Sequence, residues 1–173
     1  DSFNVYKMIN NYVTSQNKIY PPLANKTQKE KIQLTAEEEA VKNKLILGKT
    51  SDQIFLIARQ HAFDGDRKMA RILCDHILKS LPNHADARIL KGRTLSWDGT
   101  YDLAEEEFLN VLKRKPFYDD PYAALLDLYW WSDQDEKGVV LAKKAMKNKI
   151  ENPLLSFKLA KAYKRLKQYP NSV

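Results

Sequence analysis

The chain has 173 residues, of which 43% are hydrophobic and 29% are charged, and no apolar run long enough to span a bilayer occurs in it. This composition is ordinary for a soluble globular protein; no membrane-spanning helix is expected, and the single Cys74 excludes an internal disulfide framework. Residues 143–167 hold nine basic side chains and one acidic one, a charge of +8, so the rest of the chain sums to about −1 against a total of +7. Because the excess is confined to one end, nucleic-acid binding by the whole protein is disfavoured.

The N-terminal part of the chain, 1–50, is predicted to form a helical and linker extension. Apolar side chains at helical spacing predict a short amphipathic helix over 3–13, and a polar, proline-containing stretch over 14–34 predicts a linker. Thr35 and Glu38 then form a capping-box motif, which predicts a helix that ends near Gly48. We expect this extension to cap the N-terminal end of the structure that follows.

From residue 51 onward the sequence repeats with a fixed period. The separation between Gly65 and Gly99 is the same as that between Pro82 and Pro116. This period is about 34 residues, a length typical of tandem helix pairs. The segments FDGDRKMARILCDHILKSLP and WDGTYDLAEEEFLNVLKRKP match over their whole length. A glycine turn between two helical patterns, followed by a proline that ends the second helix, predicts a tandem array of helix pairs.

Three full repeats and one partial repeat are predicted, with bounds 51–84, 85–118, 119–152 and 153–173. The third matches less well, because Leu126 and Gly138 stand where a small residue and an alanine are expected. The fourth stops before a second helix, so we expect a longer parent protein. Small residues at two places in each repeat allow the paired helices to approach closely, while larger residues fill the gap to the next pair.

The pattern resembles the tetratricopeptide repeat family over about two thirds of the chain. The resemblance implies an all-α fold, a right-handed α-α superhelix with a helical N-terminal extension, and a concave groove that binds partners. The chaperone-binding carboxylate clamp of that family is not expected. Its Lys, Asn and Arg sites are occupied here by Phe55, Arg59, Asp120 and Ala124.

The first helix of each repeat is expected to line the groove with aromatic and charged side chains. Aromatic rings stack on sugars or on peptide side chains, and Arg pairs with carboxylates or phosphates. The candidate groove residues are Phe55, Arg59, Phe63, Arg93, Trp97, Asp127, Trp130 and Trp131. In the alternative, Asp52, Asp86 and Asp120 pair with an Arg of a neighbouring repeat, and the aromatic residues only cover the seams between repeats.

No catalytic or metal-binding residues are predicted. The three histidines lack Cys or acidic partners at metal-ligand spacing, and no phosphate-binding glycine loop or serine-hydrolase motif occurs. Cys74 falls at a packed core position. Glu105 and Glu107, like Glu37 and Glu39, are interpreted as solvated helix faces. The chain is therefore expected to be no enzyme and to need no cofactor.

A second resemblance concerns location. The segments 58–78, 92–108 and 125–134 are similar to the periplasmic repeat region that precedes the barrel in outer-membrane proteins of the YaiO type, and more loosely to repeat regions of exopolysaccharide-export proteins. This resemblance implies a periplasmic or outer-membrane-associated location, with a cytoplasmic location as the alternative.

Two functions of different class follow from the sequence. The first is a non-enzymatic scaffold that binds a protein or peptide partner in the concave groove. The second is a glycan-guiding module for exopolysaccharide export or envelope polysaccharide, in which the aromatic residues contact the polymer. Nucleic-acid binding through 143–167 is the least favoured hypothesis.

Overall fold

The computed structural model describes residues 33–150, 155–158, 160, 161 and 164, and all regular secondary structure in these residues is helical. The predicted helix over 3–13 and most of the predicted linker lie outside the described residues. The helices are α1 (Ala36–Ile46), α2 (Ser51–Phe63), α3 (Arg67–Ser80), α4 (Ala85–Trp97), α5 (Tyr101–Arg114), α6 (Asp119–Trp131) and α7 (Asp135–Lys147). Residues 155–158, 160, 161 and 164, here called the last helical segment, are also helical.

The period of the sequence recurs in the positions of the helices. The helices α2, α4 and α6 begin at positions 51, 85 and 119 and end at positions 63, 97 and 131, so both series follow the period. The helices α3, α5 and α7 begin at positions 67, 101 and 135, which follow it as well. The described part of the chain therefore contains three similar helix pairs, α2–α3, α4–α5 and α6–α7.

The helices pack in chain order. From α2 onward each helix contacts its neighbours along the chain, and the first helices of successive pairs also contact each other, α2 with α4 and α4 with α6. The helix α1 contacts α2 and α3. The described part of the chain is thus an all-α, solenoid-like stack, in which α2, α4 and α6 form one layer.

The start of α1 has the predicted capping box. The Thr35 hydroxyl accepts a hydrogen bond from the Glu38 amide at 3.2 Å, and the Thr35 amide donates to the Glu38 carboxylate at 2.9 Å. The same carboxylate accepts from Lys68 Nζ at 2.6 Å, which joins α1 to α3 and lowers the pKa of Glu38. Since Leu45 and Ile46 pack against the buried cluster of the first helix pair, α1 covers part of that pair.

Small and large residues compensate for each other where paired helices cross. A Cβ atom added to Gly92 would lie 2.5 Å from Cε1 of the buried Phe108, so only glycine fits there. In the third pair, Leu126 takes the place of Gly92 and Ala142 takes the place of Phe108, so the small residue is on the other helix. Both residues are buried. The irregular third repeat therefore exchanges the places of the large and the small residue.

The turn inside each pair requires a left-handed backbone. Gly65 has φ of 92°, Gly99 has φ of 75°, and Asp133, at the equivalent place in the third pair, has φ of 56°. We expect Asp133→Gly to raise the free energy of unfolding by about 0.5–1 kcal/mol, because glycine adopts this conformation without steric cost. Urea unfolding followed by circular dichroism measures the change. Gly99→Ala is the matched control and should lower stability; a loss of stability in Asp133→Gly would contradict the prediction.

Candidate functional site

The eight candidate groove residues all lie on the first helices of the pairs. Phe55, Arg59 and Phe63 are on α2, while Arg93 and Trp97 are on α4. Asp127, Trp130 and Trp131 are on α6. Together they are called the first-helix face. Since α2, α4 and α6 contact one another in order, these residues belong to one layer of the stack.

One part of this face is an exposed aromatic patch that two pairs share. The side chain of Phe63 is 67% exposed, and its ring centroid lies 6.2 Å from that of Trp97, with the planes tilted by 48°. The guanidinium carbon of Arg59 lies 5.7 Å from the centre of the Phe63 ring. Trp97 is half-buried against the core of the first pair. These three side chains are called the Arg59–Phe63–Trp97 patch.

Phe55 has a different environment. It is half-buried, and its ring centroid lies 5.8 Å from that of His84. His84 caps α4, since its Nδ1 accepts a hydrogen bond from the Ala87 amide at 3.2 Å. Phe55 therefore packs at the seam between α2 and the start of α4, as the alternative interpretation of the aromatic residues expects.

The other charged residues of the face pair with neighbouring repeats. Arg93 forms an ion pair with Asp120 at the start of α6. Asp127 forms an ion pair with Lys158 in the last helical segment, and Lys158 also donates to the Ala123 carbonyl at 3.3 Å. These contacts are of the internal kind that the alternative interpretation describes, because each charge is matched within the protein.

The tryptophans at the end of α6 are half-buried. Lys161 Nζ lies 3.4 Å from the centre of the Trp130 ring, a cation–π contact between the last helical segment and α6. Trp131 is the last residue of α6. Hence Lys158 and Lys161 in the basic region 143–167 are used in contacts with α6, whereas Lys143, Lys144 and Lys147 are exposed.

The prediction that Glu105 and Glu107 are solvated is wrong. The Glu105 side chain is 16% exposed and accepts hydrogen bonds from the Tyr129 hydroxyl at 2.7 Å and from Lys137 Nζ at 3.1 Å. Burial and this hydrogen bond raise the pKa of Tyr129. The Glu107 side chain is 13% exposed. The sequence could not show this, because the partners of both carboxylates belong to other helices.

Glu107 is the centre of a charged triad that spacing did not reveal. It lies 2.7 Å from Arg88 Nη1 and 3.0 Å from Lys91 Nζ, and Lys91 also lies 2.7 Å from Asp75 Oδ1. Burial alone would lower the pKa of Lys91, but the hydrogen bond with Asp75 and the charge of Glu107 raise it. The triad of Arg88, Lys91 and Glu107 joins α4 to α5, and the ion pair of Lys91 with Asp75 adds α3.

In the first and third helix pairs, the positions equivalent to the triad hold uncharged, largely apolar side chains. The equivalent residues are Ile54, Ile57 and Leu73 in the first pair and Tyr122, Leu125 and Leu141 in the third. Five of these six residues are buried and Ile57 is half-buried. Only an alignment of the three repeats places Arg88, Lys91 and Glu107 at a core crossing, and this is the signal that could have identified them.

The described residues contain no group of three or more His, Cys, Asp or Glu that could hold a metal ion. An open depression on the surface of α5 is lined by Asp102, Glu105, Glu106, Leu109, Asn110 and Lys113.

Cys74 is buried in the first pair, and burial raises its pKa to about 12. We expect the native protein at pH 8 to react with a disulfide reagent at least ~100-fold more slowly than the urea-unfolded protein, because the thiolate is the reactive form. In an unfolded chain the thiol pKa is ~8.5, so ionisation of Cys74 favours unfolding only above that pH. The stability that the buried neutral thiol contributes is therefore present below pH ~8.5 and is lost as the pH rises from there to about 12. Equal rates for native and unfolded protein would contradict the prediction.

Comparison with protein-family models and with curated proteins gave no match for this chain. None of the helices in the described part of the chain is long and apolar enough to cross a bilayer.

Proposed function

We propose that this chain is a non-enzymatic interaction module of the tetratricopeptide repeat type. In this proposal the three helix pairs form a right-handed superhelix, and the first-helix face lines its concave groove and binds a protein or peptide partner. The proposal is supported by the regular recurrence of the helix pairs along the chain and by contacts between successive first helices.

The observation that carries the proposal is the Arg59–Phe63–Trp97 patch. A large aromatic side chain that is 67% exposed keeps apolar surface in water, which burial by a partner would remove. Trp and Arg are also enriched among residues that dominate the energetics of protein interfaces. Trp97 is already held against the core, so less conformational entropy is lost when a partner covers the patch.

Substitution of Phe63 tests the proposed function. The immobilised chain is exposed to an envelope extract, and retained proteins are quantified for the wild type, for Phe63→Ala and for Leu109→Ala. Leu109 is the matched control, because it is also an exposed apolar residue but lies on α5. We expect Phe63→Ala to lose at least about tenfold of a specific protein that the control retains. Equal retention by both variants would rule out the first-helix face as the binding surface.

We propose a periplasmic or outer-membrane-associated location for the protein. The resemblance of the repeats to the periplasmic region of YaiO-type proteins supports this location, and a cytoplasmic location is the alternative. Fractionation of the source cells with an antibody against the chain distinguishes the two.

A glycan-guiding module is the second candidate function. The exposed ring of Phe63 beside Trp97 favours it, since sugars stack on aromatic faces. Acidic or amine-bearing oligosaccharides should then change the tryptophan fluorescence of the wild type, and Trp97→Ala should abolish the change. No response to any such oligosaccharide, with retention of a defined protein, would exclude this function.

A further inference from the structure

The repeat makes two arginines of the first-helix face equivalent, but the structure gives them different partners. Arg93 pairs with Asp120 across the α4–α6 contact. Shifted back by one repeat, the same pair would be Arg59 with Asp86. That pair does not form. Arg59 is exposed, and its guanidinium lies over the Phe63 ring.

Asp86 has a different partner. The Tyr118 hydroxyl donates a hydrogen bond to Asp86 Oδ1 at 2.7 Å. The residue equivalent to Tyr118 in the preceding repeat is His84, whose Nε2 lies 4.0 Å from Oδ1 of Asp52. The acidic residue near the start of each of these two first helices thus faces the residue just before the next first helix, and Arg59 stays on the surface.

Arg59 also differs from the charged residues at its place in the next two repeats. Arg93 is matched by Asp120, and Asp127 is matched by Lys158. In the part of the chain that the structure describes, no carboxylate forms an ion pair with Arg59. An exposed guanidinium whose charge is not matched, next to an exposed aromatic ring, can bind an external anion without first breaking an internal ion pair.

We infer that Arg59 recognises an acidic side chain of the partner, and that the partner is a peptide segment with a carboxylate next to an aromatic or aliphatic side chain. This inference rests on the proposed function and specifies its ligand. The carboxylate would take a two-pronged hydrogen bond from the guanidinium, which the Phe63 ring helps to hold in place. The neighbouring apolar side chain would cover Phe63 and Trp97.

The charges nearby favour a weakly acidic peptide over a polyanion. Asp52, Asp86 and Asp120 lie at the starts of the same first helices, and the side chain of Asp52 is 94% exposed. These carboxylates repel an extended chain of phosphates, whereas a single carboxylate at Arg59 is compatible with them. A nucleic acid also needs several basic contacts along its backbone, and the eight residues of the first-helix face offer one unmatched arginine.

The test uses three fluorescent synthetic peptides of one length that differ at one position: Glu, Gln or Lys lies between two Phe residues, and all other residues are uncharged. Their binding to the whole chain is measured by fluorescence anisotropy. We expect the Glu peptide to bind at least about tenfold more tightly than the Gln peptide, as the loss of one charge-assisted pair predicts. Arg59→Gln should remove this preference, and Arg59→Lys should keep part of it.

Arg114→Gln is the matched control, because it removes the same charge from an exposed arginine at the end of α5, outside the first-helix face. It should change the affinity for the Glu peptide less than about twofold. If the wild type binds the Glu peptide no more tightly than the Gln peptide, or fails to bind it, the inference is overturned. It is also overturned if Arg59→Gln keeps the preference. Loss of the natural partner in Phe63→Ala but not in Arg59→Gln would refute only this inference and leave the proposed function standing.

Discussion

Gly92→Ala should lower the free energy of unfolding by about 1–3 kcal/mol, because the added methyl group would overlap a buried ring. A Cβ at this position would lie 2.5, 2.9 and 3.0 Å from three carbons of Phe108. The Phe108 side chain is fully buried, so its ring can move away only within the packed core. The change is measured by urea unfolding with circular dichroism, in which the midpoint should fall.

The same substitution in the third pair should have the opposite sign. A Cβ at Gly138 would make ordinary contacts of 3.8 Å with Tyr129 and 3.9 Å with Leu126. Gly138 lies inside α7, and alanine in a helix is more stable than glycine by about 0.5–1 kcal/mol. Gly138→Ala should therefore raise stability. If both variants shift the midpoint in the same direction, the packing argument for the two crossings is wrong.

A single substitution in the charged triad should be more harmful than replacement of all three residues. We expect Glu107→Leu to cost about 2 kcal/mol, because Arg88 and Lys91 would face an apolar side chain. This cost is smaller than that of removing one partner from a fully buried ion pair, because both basic residues keep another partner. Lys91 keeps Asp75 at 2.7 Å, and Arg88 keeps the Pro82 carbonyl at 2.9 Å.

The triple variant Arg88→Ile, Lys91→Ile, Glu107→Leu copies the apolar residues of the first pair. It should be within about 1 kcal/mol of the wild type or more stable, because apolar packing replaces charges that need no longer be removed from water. Urea unfolding of the single and triple variants gives the comparison. If the triple variant is less stable than Glu107→Leu, the charged residues stabilise the fold more than apolar side chains at the same positions do, and the prediction is wrong.

The features that were predicted correctly from the sequence depend on residues close together in the chain. The capping box of Thr35 and Glu38 links a residue to the one three places later, and it is present at α1. Gly65 and Gly99 were predicted at the turns, and both have the positive φ that favours glycine. The starts of the first helices follow from the same kind of local signal. Propensity, caps and turns of this kind act over a few residues.

The charge pairs of Glu107 and Lys158 were not predictable from spacing, because their members belong to different helical segments. Glu107 and Arg88 are 19 residues apart, and Lys158 and Asp127 are 31 apart. Which partner a flexible charged side chain takes depends on how closely the helices approach, and several partners lie within reach of each. The interpretation of Glu105 and Glu107 as solvated failed for this reason.

The sequence by itself therefore determined the repeat period, the all-α class and the ends of most helices, since these depend on local interactions. Only the tertiary structure decided which charges are matched. Arg59 and Arg93 are the same residue at the same place in the repeat, yet one is exposed over an aromatic ring and the other pairs with Asp120. Asp86, which corresponds to Asp120, accepts a hydrogen bond from the Tyr118 hydroxyl instead, a contact between residues 32 apart that no local pattern contains.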